Sequence, residues 1–371
     1  MVAVVVFYLI YIASVLVVAR AWRRSGPPEK RKRPELAVSV VVAFRNEENL
    51  LEGLLESLEK QTYEDWELLL VDDHSTDASA ELTQRFFKKS PMKARLLTSW
   101  GEGKKKAVET GIREAKGEIV LLTDGDCRVP EQWVERHAAS YAENPGLQLL
   151  AGPVRFESSD SVFKQMLLVE FASLIGVSAA AIGLRRPVMA NGANLSYRRS
   201  LFHELDGFEG NEHIASGDDE FMMKKVMKNY PNGIFYLKDS SAIVTTYPPG
   251  NLKAFVEQRV RWASKWKLHS WSINALASVF LFIFHLINLL WPVGLLLGSR
   301  WVQAVLLFLM VGRLGAEYCF LRRVCSFLGY RLGFGIFART AAAYSFYVVG
   351  IAVKAFSAKY QWKGRSYKTK R

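Results

Sequence analysis

Four apolar runs, one at the start of the chain and three at its end, constrain this sequence more than any other feature. Residues 2–18 are nearly all apolar, with Ser14 the clearest interruption, and they lead into Arg20, Arg23, Arg24, Lys30, Arg31, Lys32 and Arg33. A secretory signal carries its positive charge before the apolar run and small residues after it, so this order reads as an uncleaved anchor. Its basic flank marks the cytosolic side. The stretches 273–298, 301–321 and 334–355 are each about long enough to cross the ~30 Å hydrocarbon layer. An integral protein of the cell membrane with a cytosolic middle is therefore expected. The composition agrees: half the residues are apolar, yet 23% are charged, so greasy and ordinary sequence are segregated. The net charge of +13 sits beside the apolar runs. It is assigned to lipid headgroups rather than to nucleic acid, for which no motif is present.

Two details complicate this picture. With three C-terminal spans, the tail carrying Lys354, Lys359, Lys363, Arg365, Lys368, Lys370 and Arg371 would end outside, against the positive-inside expectation. One C-terminal stretch is therefore read as re-entrant or interfacial, with 329–335, which contains Arg331, as an interfacial break. Arg313 and Glu317 stand four apart on one helical face inside a spanning candidate, and such a pair is expected to satisfy itself. The three cysteines, Cys127, Cys319 and Cys325, have no metal-ligand spacing. Their odd number argues against a disulfide framework and fits a reducing compartment.

The middle alternates strand and helix. Residues 37–43 read as a buried strand, and Leu50, Leu51, Leu54, Leu55 and Leu58 then recur at helical spacing, with 46–49 supplying a capping region. Strands at 68–71, 94–98 and 118–123 are interleaved with helices at 80–87 and 105–115. This alternation implies an α/β fold with a largely parallel sheet covered on both faces. Ligands of such sheets bind at the carboxyl ends of the strands. Three polar clusters lie at those ends: Arg45-Asn46-Glu47, Asp72-Asp73, and Asp124 with Asp126.

The residue types suggest a chemistry. Asp124-Gly125-Asp126 offers two hard carboxylates, suited to Mg²⁺ or Mn²⁺ shared with a diphosphate. Asp72 and Asp73 are acceptor-only groups that fit the N–H edge of a base and ribose hydroxyls. They also fit an Asx turn, with Ser75, Thr76 and Asp77 capping the next helix. Lys104, in Gly103-Lys104-Lys105-Lys106, is placed to screen phosphate charge. Gly217-Asp218-Asp219-Glu220 opens an amphipathic helix. Its acids serve either the helix dipole or general-base catalysis on an acceptor hydroxyl. Gln258-Arg259-Val260-Arg261-Trp262 places Gln258 and Arg261 on one helical face beside an aromatic surface. Gln258, Arg261 and Trp262 are read as site residues, and the neighbouring Lys265, Trp266 and Lys267 as headgroup contacts.

In this order and spacing, Val38 through Phe44-Arg45-Asn46-Glu47-Glu48, Val71 through Asp77, Asp124-Gly125-Asp126, Gly192-Ala193-Asn194 and Gln258 through Trp262 resemble the family 2 glycosyltransferases. The resemblance covers nearly all of 36–268. It implies a GT-A fold and an inverting displacement by an acceptor oxygen on a nucleotide-diphospho-sugar. Carried over by position, it implies that Phe44, Arg45, Glu47, Asp72, Asp73, Lys104, Asp124, Gln258, Arg261 and Trp262 bind the nucleotide-sugar. Asp124 and Asp126 would hold Mg²⁺ or Mn²⁺, and Asp219, with Asp218 in reserve, would be the catalytic base. The sequence departs from the pattern at Ala43, where proline is common, at His74, where glycine is common, and at Asp218, where glutamate is usual.

The expected organisation is an anchor at 1–21, a basic linker at 22–35, a nucleotide-sugar-binding half at 36–150, an acceptor and base half at 151–270, and a membrane region with a basic tail at 271–371. The expected partners are a nucleotide-sugar donor, a lipid or glycolipid acceptor and the membrane. The expected function is transfer of a sugar, from a UDP-sugar in the first instance, to a membrane-resident acceptor. A processive polysaccharide synthase is the alternative, and an inactive scaffold is a weaker one.

Overall fold

The computed structural model describes residues 2–24, 35–211, 217–264, 273–357, 360–362 and 365–367. The basic run 30–33, the group Lys265, Trp266 and Lys267, and Lys359, Lys363, Lys368, Lys370 and Arg371 of the tail lie outside the described residues. The chain falls into two compact units. A helical unit gathers 1–22, 158–177 and 248–371, and a sheet unit gathers 23–157 and 178–247.

Helix α1 (Val2–Arg24) opens the chain. The sheet unit then runs β1 (Val38–Phe44), α2 (Leu51–Glu59), β2 (Trp66–Asp72), α3 (Ser79–Phe87), β3 (Ala94–Thr98), α4 (Lys104–Glu114), β4 (Ile119–Asp124), α5 (Trp133–Glu143), β5 (Leu149–Ala151) and β6 (Val154–Phe156). After α6 (Val162–Gly183) come β7 (Leu195–Arg198), α7 (Arg199–Glu204), α8 (Asp218–Asn229), β8 (Ile234–Tyr236) and β9 (Val244–Thr246). Seven strands form one sheet in the order β3-β2-β1-β4-β7-β5-β8. β1, β2, β3 and β4 run parallel, while β7 is antiparallel to both β4 and β5. Val40, Val41 and Val42 of β1 are all buried, as are Ile119, Val120, Leu121 and Leu122 of β4, so both faces of the central strands are covered.

The elements read from the sequence are present, with ends shifted by a residue or two. One local expectation is corrected. No side chain of 46–49 caps α2, whose N-cap position is Leu50; the Glu47 carbonyl reaches its start, accepting from the Leu50 and Leu51 N–H. Asn46 instead adopts a left-handed backbone (φ 53°), and its Oδ1 accepts from the Thr76 N–H at 2.8 Å. It joins two loops at the sheet edge rather than starting a helix.

Beneath that edge lies a buried polar network. The Asn194 amide donates to the carbonyls of Pro153 and Ala242, both at 2.8 Å. Its Oδ1 accepts from Trp133 Nε1 and from His137 Nε2, both at 2.9 Å. His137 Nδ1 lies 2.8 Å from the Ser196 hydroxyl, which can donate to it when the ring is neutral. Burial lowers the His137 pKa to about 4, against a smaller opposing effect of the Asn194 hydrogen bond.

The helical unit contains α9 (Leu252–Ala263), α10 (Ile273–Leu289), α11 (Trp291–Leu297), α12 (Arg300–Phe327) and α13 (Phe334–Ser357), with a short hairpin of β10 (Tyr360–Trp362) and β11 (Arg365–Tyr367). Among the described residues, five helical segments are long and apolar enough to cross a membrane: α1, α6, Ala275–Leu297, α12 and α13. The apolar runs read from the sequence do not include α6, which is interrupted by Lys164 and Glu170. Residues 328–333 leave the helical conformation, in line with the break read around Arg331. Arg313 and Glu317 do pair, at 2.8 Å, within a larger network. Arg313 Nη1 donates to Asn288 Oδ1, Tyr8 donates to the same oxygen, and Tyr11 donates to Glu317 at 2.7 Å. Polar groups from α1, α10 and α12 thus satisfy one another inside the helical unit, where Tyr8 and Arg313 are buried.

The His137 network carries a pH signature. Its folded pKa is depressed below the ordinary 6.5, so the unfolded chain takes up a proton that the folded chain refuses. Stability is therefore expected to fall as pH drops from 6.5 toward about 4, by about 3 kcal/mol. His137→Gln, which can still donate to Asn194, should flatten that part of the profile. Unfolding midpoints of the detergent-solubilised protein across this range check it; parallel slopes in both proteins would contradict it.

Candidate active site at the carboxyl edge of the sheet

Register brings the predicted clusters together. Phe44 pairs with Asp72 across β1 and β2, and Ala43 pairs with Asp124 across β1 and β4. The ends of three adjacent strands are therefore level, and the residues that follow them share one edge.

At that edge Asp73 is buried. Its N–H donates to the Phe44 carbonyl and its Oδ1 accepts from the Gly103 N–H, both at 2.9 Å. Asp72 Oδ1 accepts from the Ser75 N–H at 2.9 Å, the Asx turn anticipated from sequence. Asp77 accepts from the Ser79 N–H and hydroxyl at the start of α3 and from the Glu48 N–H. Burial works against its charge, but these hydrogen bonds outweigh it and lower its pKa. Arg45 Nη1 donates to the carbonyls of Asp73 and His74, both at 2.6 Å. It clamps the loop after β2. His74 sits at φ 56°, which explains why glycine suits this position: a side chain with a Cβ is strained there.

The Asp124-Gly125-Asp126 turn lies against β1 and the start of α2. A Cβ built on Gly125 would stand 3.0 Å from Phe44 Cβ and 3.3 Å from Glu47 Cγ, so glycine permits this approach. Phe44 and Glu47 thus form the floor of the turn. Asp126 Oδ1 accepts from the Cys127 thiol at 3.6 Å. Burial, with Asp126 and Asp124 adding to it, pushes the Cys127 thiol far up, so it stays neutral.

Lys104 is the hub. Its Nζ donates to Asp124 Oδ1 at 2.6 Å and lies 3.6 Å from Asp218 Oδ2. Burial disfavours its charge, but Asp124, Asp218 and Asp219 outweigh that and raise its pKa well above the usual lysine value. The adjacent lysines do other work: Lys105 donates to the Asn211 carbonyl and side chain, and Lys106 pairs with Glu109.

The two adjacent aspartates of α8 differ in setting. Asp218 is buried, facing Lys104. Asp219 is half-buried, and its oxygens accept from the backbone N–H of Gly192 at 3.0 Å and of Glu220 at 2.7 Å. A Cβ on Gly192 would come 3.3 Å from Asp218 Oδ2 and 3.4 Å from Lys104 Nζ. Gly192 therefore packs into this cluster, a place to which sequence reasoning gave it no role, although it opens the Gly192-Ala193-Asn194 motif.

Ten of the sequence-predicted residues meet at or beside this edge: Phe44, Arg45, Glu47, Asp72, Asp73, Lys104, Asp124, Asp126, Asp218 and Asp219. The other three, Gln258, Arg261 and Trp262, belong to α9 of the helical unit, which Asn251 caps by accepting from the Ala254 N–H. Among the described residues, no group of three or more His, Cys, Asp or Glu side chains is gathered to hold a metal alone. Asp124 and Asp126 supply two hard oxygens, which fits a divalent ion whose remaining positions are filled by phosphate oxygens and water.

Residues 39–206 match the profile described as glycosyl transferase family 2. A poly-beta-1,6-N-acetyl-D-glucosamine synthase of Staphylococcus epidermidis is 23% identical over 61% of this chain and 53% of its own length. An undecaprenyl-phosphate 4-deoxy-4-formamido-L-arabinose transferase of Pseudomonas fluorescens is 35% identical over 36% of this chain and 40% of its own. The chain thus spans about half the length of these curated relatives or less. Among solved structures, the mannosyltransferase PcManGT of Pyrobaculum calidifontis, in complex with GDP-Man and Mn²⁺, shares the fold. The TM-score is 0.52 at 17% identity, covering 95% of this chain and 99% of that one. Residues 39–206 therefore make up a glycosyl transferase family 2 domain, on a GT-A fold.

Proposed function

We propose that this protein is an inverting glycosyltransferase that moves a sugar from a nucleotide-diphospho-sugar, UDP-linked in the first instance, to a lipid-type acceptor in the membrane. The catalytic unit faces the cytosol in this reading. The observation that carries it is the convergence of Asp73, Asp124, Lys104, Asp218 and Asp219 on one sheet edge. The apolar helices and the undecaprenyl-phosphate named for the Pseudomonas relative support a lipid acceptor.

Asp73 and Asp72 receive the nucleoside, on a loop that Arg45 holds in place. Asp124 and Asp126 would hold Mg²⁺ or Mn²⁺, which would supply charge neutralisation to the diphosphate leaving group. Lys104 adds a fixed positive charge at the same point. Asp219 takes the proton of the acceptor hydroxyl. The acceptor oxygen then bonds to the anomeric carbon while the bond to the nucleotide diphosphate breaks, and the diphosphate leaves with the electron pair. Two backbone N–H groups orient the Asp219 carboxylate, as a general base requires. Asp218, buried opposite Lys104, holds that ammonium in place. Gln258, Arg261 and Trp262 are assigned to the nucleotide-sugar on their resemblance to the family's terminal motif.

A processive polysaccharide synthase is the second reading. The Gln258–Trp262 element permits it, and the likeness to the Staphylococcus synthase favours it.

Incubation with radiolabelled nucleotide-sugars and membrane lipid extracts tests the main reading. A lipid-soluble product bearing one or a few sugars is expected, and a long polymer ladder favours the synthase. Asp219→Asn should lower turnover by at least about 10²-fold, the lower range for loss of general-base catalysis, while nucleotide affinity survives. Retained turnover would move the base to another residue. Removing divalent ions with a chelator should abolish transfer, with recovery on adding Mn²⁺ or Mg²⁺. Asp126→Ala should raise the metal concentration needed for half-maximal rate, and an unchanged titration would remove Asp126 from the metal site.

A further inference from the structure

Arg259 lies inside the Gln258–Trp262 element, yet it takes no role in the assignment above. Its surroundings in the helical unit give it one. Arg259 is 3% exposed. Its Nε donates to Glu170 Oε1 at 3.0 Å, and its Nη2 pairs with Glu170 Oε2, so the carboxylate is gripped by both prongs of the guanidinium. Glu170, on α6, is itself 5% exposed and also accepts from the Tyr347 hydroxyl of α13 at 3.1 Å. The remaining prong, Nη1, donates to Gln258 Oε1 at 2.5 Å. The guanidinium carbon stands 4.2 Å from the centre of the Trp262 ring and 5.0 Å from that of Phe255. One buried cation therefore touches two of the three assigned residues of the element and ties both to helices α6 and α13.

We infer that Arg259 is a positioning residue: anchored by Glu170 and Tyr347, it fixes the Gln258 amide and the Trp262 ring in the orientations that substrate meets. The chemistry makes this more than packing. A buried carboxylate–guanidinium pair is rigid because breaking it leaves an uncompensated charge. Gln258 has one acceptor oxygen, and Arg259 directs it, so the amide NH₂ is turned to a defined side. A tryptophan with a cation over its ring has lost the freedom to flip about its side-chain bonds. Lysine cannot replace this arrangement, since an ammonium has no planar fork to serve Glu170, Gln258 and the ring together. The inference rests on the proposed binding role of Gln258 and Trp262, and its test reads their orientation separately from turnover.

The test uses the full chain in lipid nanodiscs, labelled with 5-fluorotryptophan, with the Trp262 resonance identified by its loss in Trp262→Phe. Arg259→Gln is the informative variant, because it keeps a hydrogen-bonding group toward Glu170; Glu170→Gln/Arg259→Gln removes both charges and guards against misfolding. The Trp262 resonance is expected to shift or broaden in both variants while resonances of sheet-unit tryptophans such as Trp133 hold. Transfer kcat should fall roughly 30-fold, inside the ~10² that slight misplacement costs, with the donor KM changing less than about threefold. The double variant should be no worse than the single one, as coupled residues require. A Trp262 resonance unchanged in Arg259→Gln overturns the inference. So does a shifted resonance with wild-type turnover, provided Trp262→Ala is impaired, and in that case the proposed function stands. If Trp262→Ala and Gln258→Ala also transfer normally, the inference falls together with the role assigned to the element.

Discussion

The edge of the sheet depends on one ammonium group. Asp124 ends β4, Asp218 and Asp219 begin α8, and like charges brought this close would repel strongly where water is scarce. Lys104, the first residue of α4, stands between them and makes their approach favourable. The raised pKa of the lysine measures the same effect from its side: three carboxylates hold the proton against burial. The contact also ties together elements far apart in sequence, so the positions of β4, α4 and α8 are interdependent. A cation that neutralises an acidic cluster in this way also prepares it for a ligand that brings its own negative charge.

Support for that arrangement comes from below. Asn194 uses its amide to bridge two backbone carbonyls and two aromatic donors, with every partner buried. Two residues earlier, Gly192 presents its N–H to Asp219. The network is thereby joined to the carboxylate proposed above as the base. A fully satisfied buried network of this kind specifies a single geometry, whereas a partly satisfied one would be costly.

Much of this was legible in the sequence, for identifiable reasons. The β-branched and leucine-rich strands announced a buried parallel sheet, and the ends of such strands are where acids such as Asp73 and Asp124 converge. The apolar runs announced themselves by length. Other features left no local trace. Nothing in the residues 46–49 distinguishes a helix cap from a loop tie, because Asn46 is competent for both and only its tertiary partner Thr76 decides. The burial of Asp218 against the half-exposure of Asp219 depends on which way the first turn of α8 faces. Glu170 and Lys164 hid α6 among the charged segments, although the Glu170 charge is cancelled by Arg259, 89 residues later. Spacing rules see along the chain, and these choices are made across it.

The division of the chain into two units has a consequence for biosynthesis. The helical unit is assembled from the first 22 residues, a short middle piece and everything after 248. Tyr11 of α1 finds its acceptor on Glu317, 306 positions further on. At synthesis rates of ~5–20 residues per second, roughly 15–60 s separate the two residues. For most of that interval, until α10 emerges, Tyr8 and Tyr11 lack the Phe284 ring on which both pack, while the residues between are free to build the entire sheet unit. Ribosomal timing thus favours a catalytic layer that is finished before the helical unit is complete.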